Sequence, residues 1–183
     1  APRNLARSTI LGLLTGLLLG LVMVVAQESL DDTIRSPADL RRYLGLPTLG
    51  LVPRFERGEK TVLMPEEPKS SKAEVFRLLR TNVLYAFPGG RRKVLMVASS
   101  LQSEGKTTIA VNLGVSCAME GQRVVLVSAD LRQPAADDRL KESGLIEDEA
   151  TIGLADYLEG TVGLKDVVRK TKVQGLFHLP VGK

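Results

Sequence analysis

The sequence predicts an α/β domain with a parallel sheet, preceded by one transmembrane helix. Two observations carry that expectation. Residues 94–110, V-L-M-V-A-S-S-L-Q-S-E-G-K-T-T-I-A, read as a hydrophobic strand, a tight polar loop ending Gly105-Lys106-Thr107-Thr108, and the start of a helix. Residues 9–26 carry no charged side chain, and about eighteen residues at ~1.5 Å rise give about 27 Å, enough to cross a bilayer core.

The strand–loop–helix order is the one a phosphate-binding P-loop requires. Backbone N–H groups of the loop, residues Ser103, Glu104 and Gly105, and the helix N-terminus face the phosphates. Lys106 neutralises the β/γ-phosphates and the Thr107 hydroxyl reaches Mg²⁺. Thr108, by its place at the helix start, bonds the α-phosphate region. The expected ligands are therefore ATP or ADP with Mg²⁺. The pattern G-x-x-x-x-G-K-[ST] is incomplete, because Ser100 stands where the first Gly belongs. Ser103, two before Gly105, is also a position that deviant P-loops often fill with Gly. The apolar stretch 109–119, with Gly121 as its stop, supplies the helix that a chance G-K-T-T would lack.

Composition narrows the function further. The 183 residues can hold one ordinary domain plus extra segments. Aromatics are 4% and Trp is absent, so the core is built from Leu, Val, Ile and Ala. The 25 basic and 21 acidic residues are dispersed and net charge is only +4, which argues against nucleic acid as a partner. One Cys, Cys117, excludes an internal disulfide and a Cys-based metal cluster. Cys117 reads as a small residue on a helix face. His178 is the single His and lies in an apolar run, so it reads as a core or strand residue. The chain starts at Ala1 and ends on Gly182-Lys183 just after an apolar run, and is read as part of a longer protein.

The apolar run has a secretory signal peptide as its rival, since Arg3 and Arg7 precede it and Val24-Val25-Ala26 resembles a cleavage site. Cleavage would leave the P-loop outside the cell, where ATP is scarce, and a retained span is favoured. Gly12, Gly16 and Gly20 form a stripe that lets helices approach closely. Counting Lys and Arg does not orient the span, because Arg3 and Arg7 precede it while Arg35, Arg41 and Arg42 come after it. The nucleotide site does: residues after the span are cytoplasmic, in a protein of the cell (inner) membrane. The expected organisation is the end of an external segment (1–7), a transmembrane helix (8–27), a cytoplasmic juxtamembrane linker (28–69) and a P-loop domain (70–183).

Within the linker, Ser36-Pro37-Ala38-Asp39 is a helix start, with Ser as N-cap, Pro at N1 and an acid at N3. That helix ends near Leu44-Gly45. Residues 46–53 fit a short buried strand, and residues 54–69, with Pro65 and Pro68, read as linker. A second helix begins near Ser71 and runs to the Phe87-Pro88-Gly89-Gly90 stop, with Val75, Leu78, Leu79 and Val83 at apolar spacing. Glu74, Arg77 and Arg80 share a related polar side. Ser71-x-x-Glu74 also fits a capping box, and the arginines fit a solvated face.

Taken together, these segments resemble one family: the bacterial tyrosine kinases fused to polysaccharide co-polymerase (chain-length determinant) membrane proteins. Residues 30–40 and 44–53 are similar to the cytoplasmic exit of that family's second transmembrane helix. Glu74-x-x-Arg77-x-x-Arg80 matches its E-x-x-R-x-x-R motif, which implies ring assembly between neighbouring kinase domains. Residues 121–134, ending Ser128-Ala-Asp130-Leu-Arg132-Gln-Pro134, resemble its second nucleotide motif, D-x-D-x-R. Residues 153–160 and 175–182 resemble the family's next segments along the chain. The partition and septum-site ATPases of the same fold carry an extra Lys five residues before the P-loop Lys; here that position is Leu101.

The resemblance implies Lys106, Asp130 and Arg132 in phosphoryl transfer, with Thr107 and Asp130 at the metal. It also exposes a departure. Ser128 replaces the first Asp of D-x-D-x-R, and a neutral hydroxyl neither attracts Mg²⁺ strongly nor accepts a proton as a carboxylate does. The family's later D-x-x-P metal-site motif and Tyr-rich tail do not occur before Lys183, and Tyr43, Tyr85 and Tyr157 read as structural. The expected function is a membrane-anchored, ATP-binding tyrosine autokinase that assembles as a ring with copies of itself. It would regulate capsular or exopolysaccharide chain length and export with the polymerisation machinery. The alternatives are a catalytically impaired pseudokinase regulator and a membrane-tethered P-loop ATPase.

Overall fold

The computed structural model describes residues 2–30, 36–55, 61–62, 70–86, 94–147 and 151–182. Two units divide between Thr48 and Leu49.

The first unit holds two helices. The first, α1 (Pro2–Ser29), is one uninterrupted helix. Its segment Arg7–Ser29 is 23 residues with a mean hydropathy of 2.5, and so is long and apolar enough to cross a membrane. Thr9 and Thr15 turn their hydroxyls back onto the carbonyls of Leu5 and Leu11, at 2.8 and 2.6 Å. That bond gives each hydroxyl a partner inside an apolar helix. The second, α2 (Pro37–Leu44), starts as its sequence dictates. Ser36 Oγ accepts from Asp39 N and Asp39 returns the bond to Ser36 N, closing a capping box behind Pro37. It ends at Gly45, φ +66, in the left-handed conformation of a helix C-cap.

The second unit is built around α4. In chain order it contains α3 (Ser71–Ala86), α4 (Lys106–Met119), β1 (Val124–Val127) and α5 (Ala135–Glu142). The short elements α6 (Leu154–Leu158), α7 (Leu164–Val167) and β2 (Arg169–Lys170) lead to β3 (Leu176–Leu179). The sheet order is β1-β3-β2, with β1 parallel and β2 antiparallel to β3. Val124 faces Leu176 and Val127 faces Leu179 in register. The fold is thus the α/β class with a parallel strand pair that the sequence predicts.

The uniform apolarity of α4 has a structural cause: it is buried on two sides. Val111, Val115 and Ala118 join Leu140 of α5, Leu145, Val173 and Leu176 of β3 in one cluster. Leu113, with Ile109 and Cys117, joins Phe76, Leu79 and Val83 of α3 in another. On α3 the buried stripe is Phe76, Leu79 and Val83, whereas Leu78 faces out. The apolar spacing read from the sequence therefore runs one face too wide at Leu78 and misses Phe76.

Two predicted strands do not form. Residues 46–53 make no ladder; instead Leu49 and Val52 pack on the α3–α4 cluster, and Asn82 Nδ2 donates to Leu49 O at 2.7 Å. Residues 94–99 likewise form no ladder among the described residues, and Val94 and Met96 are exposed. A strand needs a neighbour for its backbone groups, and the described sheet sets none alongside either stretch.

The boundary read at residue 70 also moves. Leu49, Val52, Phe55 and Val62 belong to the cores of the second unit, and Asn112 Nδ2 bonds Thr61 O at 2.7 Å. Part of the expected linker is therefore domain. Residues 31–35, 56–60, 63–69 and 87–90, which hold the rest of the linker and the Phe87–Gly90 stop, lie outside the described residues.

Candidate functional site

The polar loop 99–105 leads directly into α4. Its backbone carries two left-handed residues, Ser103 (φ +65) and Gly105 (φ +91). Gly adopts that region freely, whereas a side chain there costs roughly 1–2 kcal/mol. Ser103, at a position where P-loops often carry glycine, is thus a serine in a glycine's conformation. Glu104 braces the loop: its carboxylate accepts from Leu101 N at 2.9 Å and from the Ser100 hydroxyl. Those bonds, the Leu101 N–H first, hold Glu104 below the usual carboxylate range.

Gly105 is the N-cap of α4, and no side chain caps that end. The first intrahelical bond is Ile109 N to Gly105 O at 2.9 Å. The N–H groups of Lys106, Thr107 and Thr108 thus stand at the start of the helix, where a dipole and orphan donors favour an anion.

Facing this loop is the segment 128–134, at the C-terminal end of β1, the edge where open α/β sheets place their ligands. Two bonds join the segments. Lys106 Nζ pairs with Asp130 Oδ2 at 3.1 Å, and Gln102 Nε2 donates to Gln133 Oε1 at 2.7 Å. The Lys106 ammonium, helped by the Gln133 N–H, holds the Asp130 carboxyl below its ordinary value. Arg132 is exposed on the same loop.

These groups fit MgATP. Mg²⁺ prefers oxygen ligands, and commonly takes one or two carboxylates together with substrate phosphates. Asp130 is such a carboxylate, with the Lys106 ammonium 3.1 Å away, and Thr107, which carries a hydroxyl, follows Lys106 in the first turn of α4. Among the described residues no group of three or more His, Cys, Asp and Glu side chains could hold a metal by itself.

Ser128 is buried and does not face this cluster with a free hydroxyl. Its Oγ bonds the Asp137 carboxylate of α5 and lies 3.1 Å from His178 Nε2 of β3. His178 Nε2 is also 2.9 Å from Asp137 Oδ1, and Val181 N donates to Asp137 Oδ2 at 3.1 Å. Burial alone would raise Asp137, but the bonds from His178, Ser128 and Val181 N outweigh it and hold the carboxyl down. The core reading of His178 holds, since it is 1% exposed in β3. Sequence reasoning missed Asp137 altogether. It sits among ordinary helix-start acids, and nothing in its spacing signals Ser128 or His178.

The Glu74–Arg77–Arg80 motif is split. Glu74 and Arg77 pair along one helix face, and Glu74 closes no capping box; the Ser70 hydroxyl accepts from Ala73 N instead. Arg80 turns inward, 13% exposed, and bonds Glu120 at 2.9 Å and Ser116 O at 2.9 Å. Cys117 is a half-buried free thiol beside them, raised by burial. Tyr43 and Tyr85 are exposed. The two tail segments meet: Leu154 N and Ala155 N donate to Pro180 O and Val181 O at 2.7 and 3.0 Å. A Cβ at Gly153 would collide with the backbone of residues 180–182, so glycine is required by close approach.

No family model matches the chain. Single relatives do. Tyrosine-protein kinase YwqD of Bacillus subtilis (strain 168) is 37% identical over 117 residues, 64% of this chain and 43% of that protein. The chain is homologous to the bacterial tyrosine kinases. A putative tyrosine-protein kinase in the cps region of Klebsiella pneumoniae is 27% identical over 187 residues, 93% of this chain and 25% of that protein. Among solved structures, the BceF tyrosine kinase domain superposes with a TM-score of 0.68 at 30% identity, covering 82% of this chain and 63% of that one. The chain therefore spans less than half the length of the curated relatives it matches. It shares the fold of the BceF kinase domain over 82% of its length.

Proposed function

We propose that this chain is the membrane-anchoring and nucleotide-binding part of a bacterial tyrosine autokinase that regulates capsular or exopolysaccharide assembly. The observation that carries the reading is the Lys106–Asp130 pair. It joins a P-loop to a strand-end acid at the edge where the fold takes nucleotides. Lys106 and the α4 N-terminus bind the phosphates. Thr107 and Asp130 hold Mg²⁺, which when bound neutralises the charge of the transferring phosphoryl group. Arg132 adds positive charge on the same loop. α1 anchors the chain in the cell membrane with the P-loop unit in the cytoplasm, where ATP is present. Glu74, exposed on α3, and its ion-pair partner Arg77 form the outward part of the motif, where a neighbouring copy in a ring would bind; Arg80 supports that face from within. The polysaccharide polymerisation and export machinery is the expected partner.

A second reading, a regulator that binds MgATP without transferring phosphate, is favoured by Ser128. Position 128 offers no carboxylate to take a proton from an attacking hydroxyl, and its own hydroxyl is engaged by Asp137. The two readings separate in one experiment. The full-length protein is incubated with MgATP and blotted for phosphotyrosine, with Lys106→Ala as control. Phosphotyrosine that disappears in the variant supports the kinase. MgATP binding with no phosphotyrosine supports the regulator, and phosphate release without phosphotyrosine supports an ATPase.

A further inference from the structure

Three side chains from three elements meet behind the 128–134 loop: Ser128 at the end of β1, Asp137 in the first turn of α5, and His178 in β3. Ser128 and His178 are 4% and 1% exposed. An ionised carboxylate only accepts, so His178 carries its proton on Nε2 and donates to Asp137, as do the Ser128 hydroxyl and Val181 N. The trio is no hydrolytic relay. Serine and acid share one ring nitrogen, whereas a nucleophilic serine needs the acid on the opposite nitrogen.

Ser128 and Asp137 stand nine residues apart and close the two ends of one loop. That loop carries Asp130 and Gln133, the two groups that reach Lys106 and Gln102 of the P-loop. Asp137 is already fixed on both oxygens, by His178 and by Val181 N. A carboxylate at position 128 would stand within bonding distance of a second one, and two such groups cannot both stay ionised without a like-charge cost.

We infer that Asp137 is a positioning residue, clasped by Ser128 and His178, that sets the loop presenting Asp130 to Lys106. The carboxylate beside this strand end stands at position 137 in α5, and not at position 128. Serine at 128 is then the matching partner of Asp137, and placing an acid there disrupts the site. Loop positioning rests on the MgATP reading above; the charge coupling between 128 and 137 does not.

The test uses the full-length protein as wild type, Ser128→Asp, Ser128→Asn, Asp137→Asn and the double variant Ser128→Asp with Asp137→Asn. Urea unfolding and binding of a fluorescent ATP analogue, with Mg²⁺ and with EDTA, are read on each. Ser128→Asp is expected to weaken Mg²⁺-dependent binding at least 10-fold. Ser128→Asn, equal in size but uncharged, is expected to stay within about 3-fold of wild type. The double variant is expected to recover most of the loss. Equal losses for Ser128→Asp and Ser128→Asn, or strict additivity in the double variant, would overturn the inference. If wild type binds no nucleotide, the MgATP reading fails while the unfolding cycle still decides the clasp.

Discussion

Arg80 Nη1 donates to the main-chain oxygen of Ser116 at 2.9 Å. One arginine of α3 thereby ties that helix to the last turn of α4, and its other nitrogen pairs with Glu120. Arg77, one turn earlier, makes its ion pair on the surface of its own helix. Two arginines that look equivalent in sequence thus have different duties. Arg80→Ala strands a half-buried carbonyl and is expected to destabilise the domain by about 1–3 kcal/mol. Arg77→Ala removes the i,i+3 pair with Glu74, a contact worth about 0.2–0.5 kcal/mol by itself. Urea unfolding of both variants separates them; equal losses would show that Arg80 is not a tie between helices.

The strained serine of the P-loop gives a second expectation. Ser103 holds φ +65, so Ser103→Gly relieves the Cβ clash but frees the unfolded chain. The first effect is roughly 1–2 kcal/mol and the second roughly 0.5–1, which leaves a net gain of about 0–1.5 kcal/mol. A melting temperature that falls on this substitution would contradict the conformation.

Asp137 makes stability depend on acid. Its folded-state carboxyl is held below the value it has in the unfolded chain. The stabilisation is therefore present above the unfolded value of about 3.9 and is lost as pH falls through the folded one. Between about pH 5 and pH 3 the unfolding free energy of wild type is expected to fall more steeply than that of Asp137→Asn. Parallel curves from chemical denaturation at each pH would remove Asp137 from the buried network.

The apolar helix predicts a partition. Residues 1–183 are expected to stay with membranes through an alkaline carbonate wash, and residues 49–183, which lack α1, are expected to be released. Release of the intact protein would mean that α1 lies elsewhere than across a bilayer.

Local signals account for the legible part of the sequence. Ser36-Pro37-Ala38-Asp39 dictates its own capping box. The G-K-T-T helix start and the β1 run appear where spacing places them. Non-local relations were hidden. Residues 46–53 are extended-looking in composition, but which partner they find is a tertiary matter, and Leu49 and Val52 find α3 and α4. Leu78 and Phe76 exchange roles because α4 fixes which side of α3 is buried. Of the candidate site, Lys106 and Asp130 were legible because both belong to patterned loops, and they pair in the fold. Asp137 and His178 were not, since 41 residues separate them and each alone is ordinary in its element.

The central claim is that Lys106 and Asp130 form a MgATP site, and calorimetric titration of the full-length protein with ATP tests it most directly. Wild type is expected to bind ATP more tightly with Mg²⁺ than with EDTA. Lys106→Ala is expected to lose about 10–100-fold in affinity, the range for a charge-assisted hydrogen bond. Asp130→Asn is expected to lose most of the Mg²⁺ advantage while keeping the EDTA value. Equal affinity with and without Mg²⁺ in wild type, or unchanged binding in Lys106→Ala, would contradict it.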